Sequence, residues 1–187
     1  MKILLGSNSP RRRKLLSGLN IPYTTVQTAC DEHFPANLRG EDIPRYICRE
    51  KADAYKAQLQ EDEILITADT IVWIDGQMLG KPKDKTEAKE MLRMLSGKTH
   101  QVYTAISLTT RCSQETLSDR TDVTFKSLTE EEIEDYVEKY LPLDKAGAYG
   151  VQEWIGYIGV EKMEGSFYNV MGLPTHILYD ALKKHMP

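Results

Sequence analysis

Cysteine is scarce in this sequence of 187 residues: Cys30, Cys48 and Cys112 are an odd number without CxxC spacing. That argues against a disulfide framework and against a thiolate zinc site, and makes a reducing cytosol the simpler setting. Long apolar runs are missing too. No stretch approaches the length of a membrane span, and Met1 to Gly6 offers too short an apolar run for a secretory leader. The expectation is a cytoplasmic chain without membrane contact. An excess of positive charge is also absent: 24 Lys and Arg stand against 28 Asp and Glu, a net charge of -4. Nothing therefore pulls the whole chain toward nucleic acid, and an anionic ligand has to be met by a local basic cluster. Neither GxxxxGK[ST] nor a strand-following GxGxxG occurs, so a phosphate site must be built from side chains and a helix end rather than from a glycine-rich loop. Repeats, low-complexity tracts and Pro/Gly/Ser linkers are lacking as well.

What is present is an ordinary globular composition, 41% hydrophobic and 28% charged. The length suits one domain, 1–187, with a sizeable core. Lys2 to Leu5 is a short apolar run. Ser9-Pro10 then starts a helix, with a serine N-cap and proline where its missing N–H costs nothing, and Leu15, Leu16 and Leu19 form its apolar face. A second helix is predicted from Asp42 to Leu59, with Ile47, Ala52, Tyr55 and Leu59 on one face. Ile64 to Ile74 is β-prone and ends in the hairpin dipeptide Asp75-Gly76. Asp84 with Glu87, and Thr129 with Glu132, resemble capping boxes; the first opens a helix through Met91, Leu92 and Leu95 that stops at Gly97, the second one through Ile133, Tyr136, Val137 and Tyr140. Val102, Thr104, Ile106 and Leu108 alternate as in a strand. Trp154 to Val160 and Phe167 to Met171 read as strands, and a last helix follows Pro174. Helices fall between strands throughout, which predicts a layered α/β fold.

Four segments carry possible chemistry. Ser7-Asn8-Ser9-Pro10-Arg11-Arg12-Arg13-Lys14 puts a basic run at a helix N-terminus, where cations oppose the helix dipole, so it reads either as an anion site or as a solvated basic face. Asp69, in Ala68-Asp69-Thr70, stands in an otherwise uncharged β-prone run. A carboxylate there is costly unless paired or metal-bound, and the alternative is a surface aspartate at a strand bend. Gly80-Lys81-Pro82 fixes a lysine on a stiff turn, with an ordinary exposed lysine as the alternative. Asp144-Lys145-Ala146-Gly147-Ala148-Tyr149-Gly150-Val151-Gln152 combines small residues, which admit a ligand closely, with one amide; a loop with a solvated glutamine is its plain alternative.

Together the segments SNSPRR (7–12), EKA (50–52), ADT (68–70), GKP (80–82), SGKTHQVYTA (96–105) and KAGAYGVQ (145–152) resemble the Maf family of nucleoside triphosphate pyrophosphatases, in family order and over nearly the whole chain. The form with Gln152 is similar to the branch acting on dTTP and UTP rather than on 7-methyl-GTP. The resemblance implies a mixed β-sheet with flanking helices, two lobes around a central cleft, an architecture related to inosine triphosphate pyrophosphatases, and commonly a homodimer. It implies Asp69 as catalytic carboxylate and Arg11, Thr70 and Gln152 as substrate-specificity positions. Arg12, Lys51 and Lys81 match residues assigned to the triphosphate, and Ser9 joins them as a phosphate donor at the helix start. Glu32 would hold a divalent metal, Mg²⁺ or Mn²⁺, with Asp69; Asp31 beside it is the alternative ligand. The segment Thr109 to Asp119 is not matched to a family motif.

This combination points to hydrolysis of a nucleoside triphosphate to the monophosphate and pyrophosphate. Arginines, lysines and a metal neutralise the polyphosphate before hydroxide approaches. Two other readings compete: a nucleotide-binding regulator of cell division and septum formation with little catalysis, and a broad phosphatase releasing orthophosphate. The released product separates them.

Overall fold

The computed structural model describes residues 1–28 and 30–185. Its first strand, β1 (Lys2–Leu5), is the short apolar run, and the Ser9-Pro10 signal starts α1 (Pro10–Ser17) as read from the sequence. Helix α1 ends at Gly18, so Leu15 and Leu16 are buried on it while Leu19 falls beyond its end. The chain returns through a two-residue strand, β2 (Thr24–Thr25), parallel to β1, and a loop leads to α2 (Asp42–Lys56). The predicted helix face is present: Ala52 and Leu59 are buried with Leu4 and Leu65, and Tyr55 packs against them, although Leu59 sits past the helix end.

The β-prone run becomes β3 (Glu63–Ile74), parallel to β1 with Leu4 opposite Leu65. Its turn has Asp75 at φ 50° and Gly76 at φ 80°, the pair of positive angles a two-residue hairpin needs, and β4 (Gln77–Leu79) pairs back with Val72 opposite Leu79. Helix α3 (Lys85–Leu95) is capped by Asp84, which accepts the Glu87 N–H at 2.8 Å; the Glu87 carboxylate reaches the N–H of Lys83 rather than that of Asp84, so the expected box is only half closed. The alternating run is part of β5 (Thr99–Thr109). The unmatched segment 109–119 turns into β6 (Gln114–Phe125), a strand the sequence reading does not contain. Helix α4 (Glu130–Tyr140) has the full capping box between Thr129 and Glu132, buries Ile133, Tyr136 and Val137, and leaves Tyr140 exposed, stacked on Tyr136.

Two predicted strands are helices. Trp154–Gly159 forms α5, which buries Ile155 and Gly159 one turn apart and exposes Tyr157. A β-carbon at Gly156 would lie 1.9 Å from the Val151 carbonyl oxygen, so the close packing of this helix on the preceding turn requires glycine. Phe167–Met171 forms α6, where the Ser166 hydroxyl accepts the Asn169 N–H at 3.3 Å and Phe167 and Tyr168 are exposed while Asn169 and Met171 are buried. Between them lies β7 (Val160–Glu164), antiparallel to β6, and α7 (Thr175–Lys183) follows Pro174 as predicted.

The strands form one mixed sheet in the order β2-β1-β3-β5-β6-β7, with β4 beside β3. The chain divides into two compact units and passes between them within β3, β5 and β6 and once more after α6. One contains Met1–Thr70, Thr104–Asp119 and the segment from Gly172, with α1, α2 and α7; the other contains Ile71–Tyr103 and Arg120–Met171, with α3 packed on α4. Among the described residues no helix is long and apolar enough to cross a membrane.

Candidate active site

In the first unit the site grows from three places where β1, α1 and α2 meet β3. The Gly6 N–H donates to the Ile66 carbonyl at 2.8 Å, which seats the loop after β1 against β3. A β-carbon at Gly6 would lie 2.7 Å from Thr28 Cγ2, so the loop passes here only as glycine. The loop then caps α1. Ser9 Oγ accepts the Arg12 N–H at 3.4 Å and Ser7 Oγ accepts the Ser9 N–H at 3.2 Å, leaving each hydroxyl proton available as a donor at the helix N-terminus.

Helix α2 meets β3 through residues two apart on one side of the strand. Thr67 Oγ1 donates to the Cys48 carbonyl at 2.6 Å, and Asp69 Oδ1 accepts from Lys51 Nζ at 2.8 Å. Asp69 is buried, only 8% exposed, which rejects the surface-bend alternative. Lys51 Nζ also lies 2.8 Å from Glu32 Oε1, so two carboxylates converge on one ammonium. Burial pushes the Asp69 carboxyl above its usual range, while the charges of Lys51 and Arg12 pull it back. Burial likewise raises the neighbouring Cys48 thiol to about 12, with the Asp69 charge adding to it, so that sulfur stays protonated and inert. Among the described residues, Glu32 and not its neighbour Asp31 is the acidic residue that pairs with Lys51 beside Asp69.

Arg12 does more than present charge. Its guanidinium donates through Nε to the Gly172 carbonyl at 2.8 Å, through one terminal nitrogen to the Ala68 carbonyl at 2.9 Å, and through the other to Thr70 Oγ1 at 2.9 Å. It thus grips the residues on either side of Asp69. Thr70 Oγ1 is in turn 2.9 Å from Thr104 Oγ1. Gly172 presents its carbonyl from φ 109°, a conformation reserved for glycine. Burial lowers the Arg12 pKa, the nearby Arg11 charge adds to that, and Asp69 opposes it. Arg11 itself is half-buried in the first turn of α1.

Arg12, Glu32, Lys51, Asp69 and Thr70 therefore come together around β3, and Ser9 caps the helix that carries Arg12. Lys81 and Gln152 belong to the second unit, where their two segments meet: the Gly147 N–H donates to the Gly80 carbonyl at 3.0 Å. Lys81 is exposed on its turn. Gln152 is half-buried, and its Oε1 is buried without a hydrogen-bond partner among the described residues. Sequence reasoning missed Thr104 and Gly172. Thr104 was visible inside the SGKTHQVYTA segment as a hydroxyl among apolar residues; Gly172 gave no signal, because its value lies in a backbone angle and a carbonyl.

The acidic pair also bears on metal binding. Among the described residues no three His, Cys, Asp or Glu side chains gather as a metal cage. Two carboxylates already meet at one cation, however, and magnesium is commonly held by one or two carboxylates together with substrate phosphate and water. The donor set thus fits a hard divalent ion shared with a phosphorylated ligand.

A protein of Bacteroides thetaiotaomicron, 60% identical over 98% of this chain and 95% of its own length, is named dTTP/UTP pyrophosphatase. So are relatives from Porphyromonas gingivalis, 54% identical over 97% of this chain and 93% of theirs, and Christiangramia forsetii, 46% identical over 98% and 93%. The fold is that of the Staphylococcus aureus Ham1 protein, with a TM-score of 0.55 at 16% identity and 100% of both chains covered. The family model described as Maf-like protein matches residues 2–185, and the chain belongs to that family.

Proposed function

We propose that this protein hydrolyses dTTP and UTP to the nucleoside monophosphate and pyrophosphate. The observation that carries the reading is the convergence of Glu32 and Asp69 on Lys51, beside a helix N-terminus bearing Ser9 and Arg12. The names of relatives at 46–60% identity support it. A sensor of triphosphate would gain nothing from a buried carboxylate set against the phosphates.

In the reaction, water oxygen bonds to the α-phosphorus as the bond from that phosphorus to the bridging oxygen breaks, and pyrophosphate leaves. Asp69, held by Lys51 at 2.8 Å, accepts the proton of the attacking water. Glu32 and Asp69 would hold a divalent cation, Mg²⁺ or Mn²⁺, which when bound supplies Lewis-acid stabilisation of phosphate charge and a lowered pKa of coordinated water. Lys51 and the Ser9 hydroxyl at the start of α1 meet phosphate oxygens, and Lys81 adds a point charge. Gln152 reads the base. Its buried Oε1 accepts the N3–H of uracil or thymine and its amide donates to O4, a pairing that cytosine reverses.

A nucleotide panel with Mg²⁺ or Mn²⁺ tests the reading. Pyrophosphate and monophosphate should form fastest from dTTP and UTP. Orthophosphate as the product would identify a phosphatase, and tight binding without turnover a regulator; either overturns the proposal.

A further inference from the structure

The reaction leaves a buried charged cluster in the second unit without a task. Gln152 lies in the turn Gly150 to Glu153, and this turn is closed on itself and onto α4. The Glu153 N–H donates to the Gly150 carbonyl at 2.9 Å. The Gly150 N–H donates to Tyr136 Oη at 3.0 Å. Tyr136 O–H donates in turn to the Glu153 carboxylate, and Lys145 Nζ lies 3.1 Å from that carboxylate's other oxygen. Lys145 is also held at 2.7 Å by Asp144. The cluster is shielded: the side chains of Lys145 and Glu153 are 10% and 20% exposed, and Tyr136 is fully buried in the middle of α4. Burial first, and then the bond to anionic Glu153, keep the phenol protonated, so the direction of donation is fixed.

The loop residue between these bonds makes room for the amide. A β-carbon on Gly150 would lie 2.9 Å from Gln152 Nε2 and 2.8 Å from Glu153 Cδ, so both side chains rest against the bare glycine. A glutamine has three torsions to order before it discriminates, and an amide that turns over accepts a cytosine edge as readily as a uracil edge. Selectivity needs a rigid turn under the amide, and Tyr136, Glu153 and Lys145 supply it.

We propose that Tyr136, Glu153 and Lys145 are positioning residues for nucleobase selectivity, holding the Gly150–Glu153 turn so that Gln152 presents its buried carbonyl oxygen to the base. The inference rests on the reading of Gln152 as the base-contacting residue. It is tested by measuring kcat/KM for UTP and CTP on the wild type, Gln152→Ala, Tyr136→Phe and the double variant. Gln152→Ala should lower the UTP-to-CTP ratio. Tyr136→Phe, which keeps the ring and removes the shared hydroxyl, should lower it about tenfold. The double variant should show no further loss of ratio beyond Gln152→Ala, because positioning acts through the amide. If Gln152→Ala changes the ratio while Tyr136→Phe slows both nucleotides alike, positioning is refuted and base reading survives. If Gln152→Ala leaves the ratio at the wild-type value, base reading fails and takes this inference with it. Should Tyr136→Phe not fold, Glu153→Gln decides the same question, since it removes the anion at nearly constant size and is expected to cause the same drop in ratio.

Discussion

Asp69 and Arg12 show how much one side chain's surroundings decide its role. Asp69→Asn keeps the shape and removes the charge that meets Lys51. Pyrophosphate release should fall about 100-fold or more, the usual worth of a positioned base, with the circular dichroism spectrum intact. Near wild-type turnover would take Asp69 out of the chemistry. Arg12 calls for a different test, since its fork holds Ala68, Thr70 and Gly172 at once. Lysine keeps the charge but not the planar fork, and the two are not interchangeable at such a site. Arg12→Lys should therefore lose nearly as much kcat/KM as Arg12→Ala, about 100-fold, by the measure of a lost preorganised donor. A lysine variant close to wild type would mean that Arg12 serves by charge alone.

At the scale of elements, the segment with Lys145 to Gln152 depends on Gly147 as well as on Gly150. Gly147 has φ 67°, and a β-carbon there would lie 2.8 Å from Val72 Cγ2 on β3. Gly147→Ala should destabilise the protein by about 2 kcal/mol or more, combining a left-handed alanine with a steric clash. Adding Val72→Ala should recover the clash but not the backbone cost, so urea denaturation should rank the double variant above Gly147→Ala after Val72→Ala's own loss is subtracted. Equal stability of the wild type and Gly147→Ala would show that the turn relaxes freely. The elements themselves were largely legible. Ser9-Pro10, Asp75-Gly76 and Thr129 with Glu132 act within a few residues of chain, and each forms as its local chemistry requires. Trp154 to Gly159 and Phe167 to Met171 did not, because short apolar stretches carry either period and burial arbitrates.

At the scale of the molecule, stability should depend on pH through a buried histidine. His100 is fully buried, its Nε2 2.7 Å from Tyr149 Oη, with Tyr149 and Phe125 packed edge-on around it. Burial lowers its pKa from 6.5 to about 4. Above pH 6.5 the ring is neutral in folded and unfolded chains alike. As pH falls toward 4 the unfolded chain takes up the proton first, so this histidine withdraws stability, up to about 3 kcal/mol over that window. Urea midpoints measured between pH 7 and 4 should fall, and His100→Gln should flatten that fall relative to the wild type. An unchanged slope would show that His100 does not carry the dependence.

The sequence by itself determined what acts over short distances: caps, turns, the strand around Asp69, and the basic run at the start of α1. It also carried the segments that resemble the Maf family, and with them Asp69 and Lys51, while Glu32 lies outside those segments with Asp31 beside it. Only the tertiary structure decided how those residues meet. That Lys51 joins Glu32 to Asp69, that Arg12 spends its donors on both flanks of Asp69, and that Tyr136 and Glu153 close the turn beneath Gln152 are pairings between positions far apart in the chain. No local pattern encodes such a pairing, because the free energy that selects it comes from burying charge where only a distant partner compensates it.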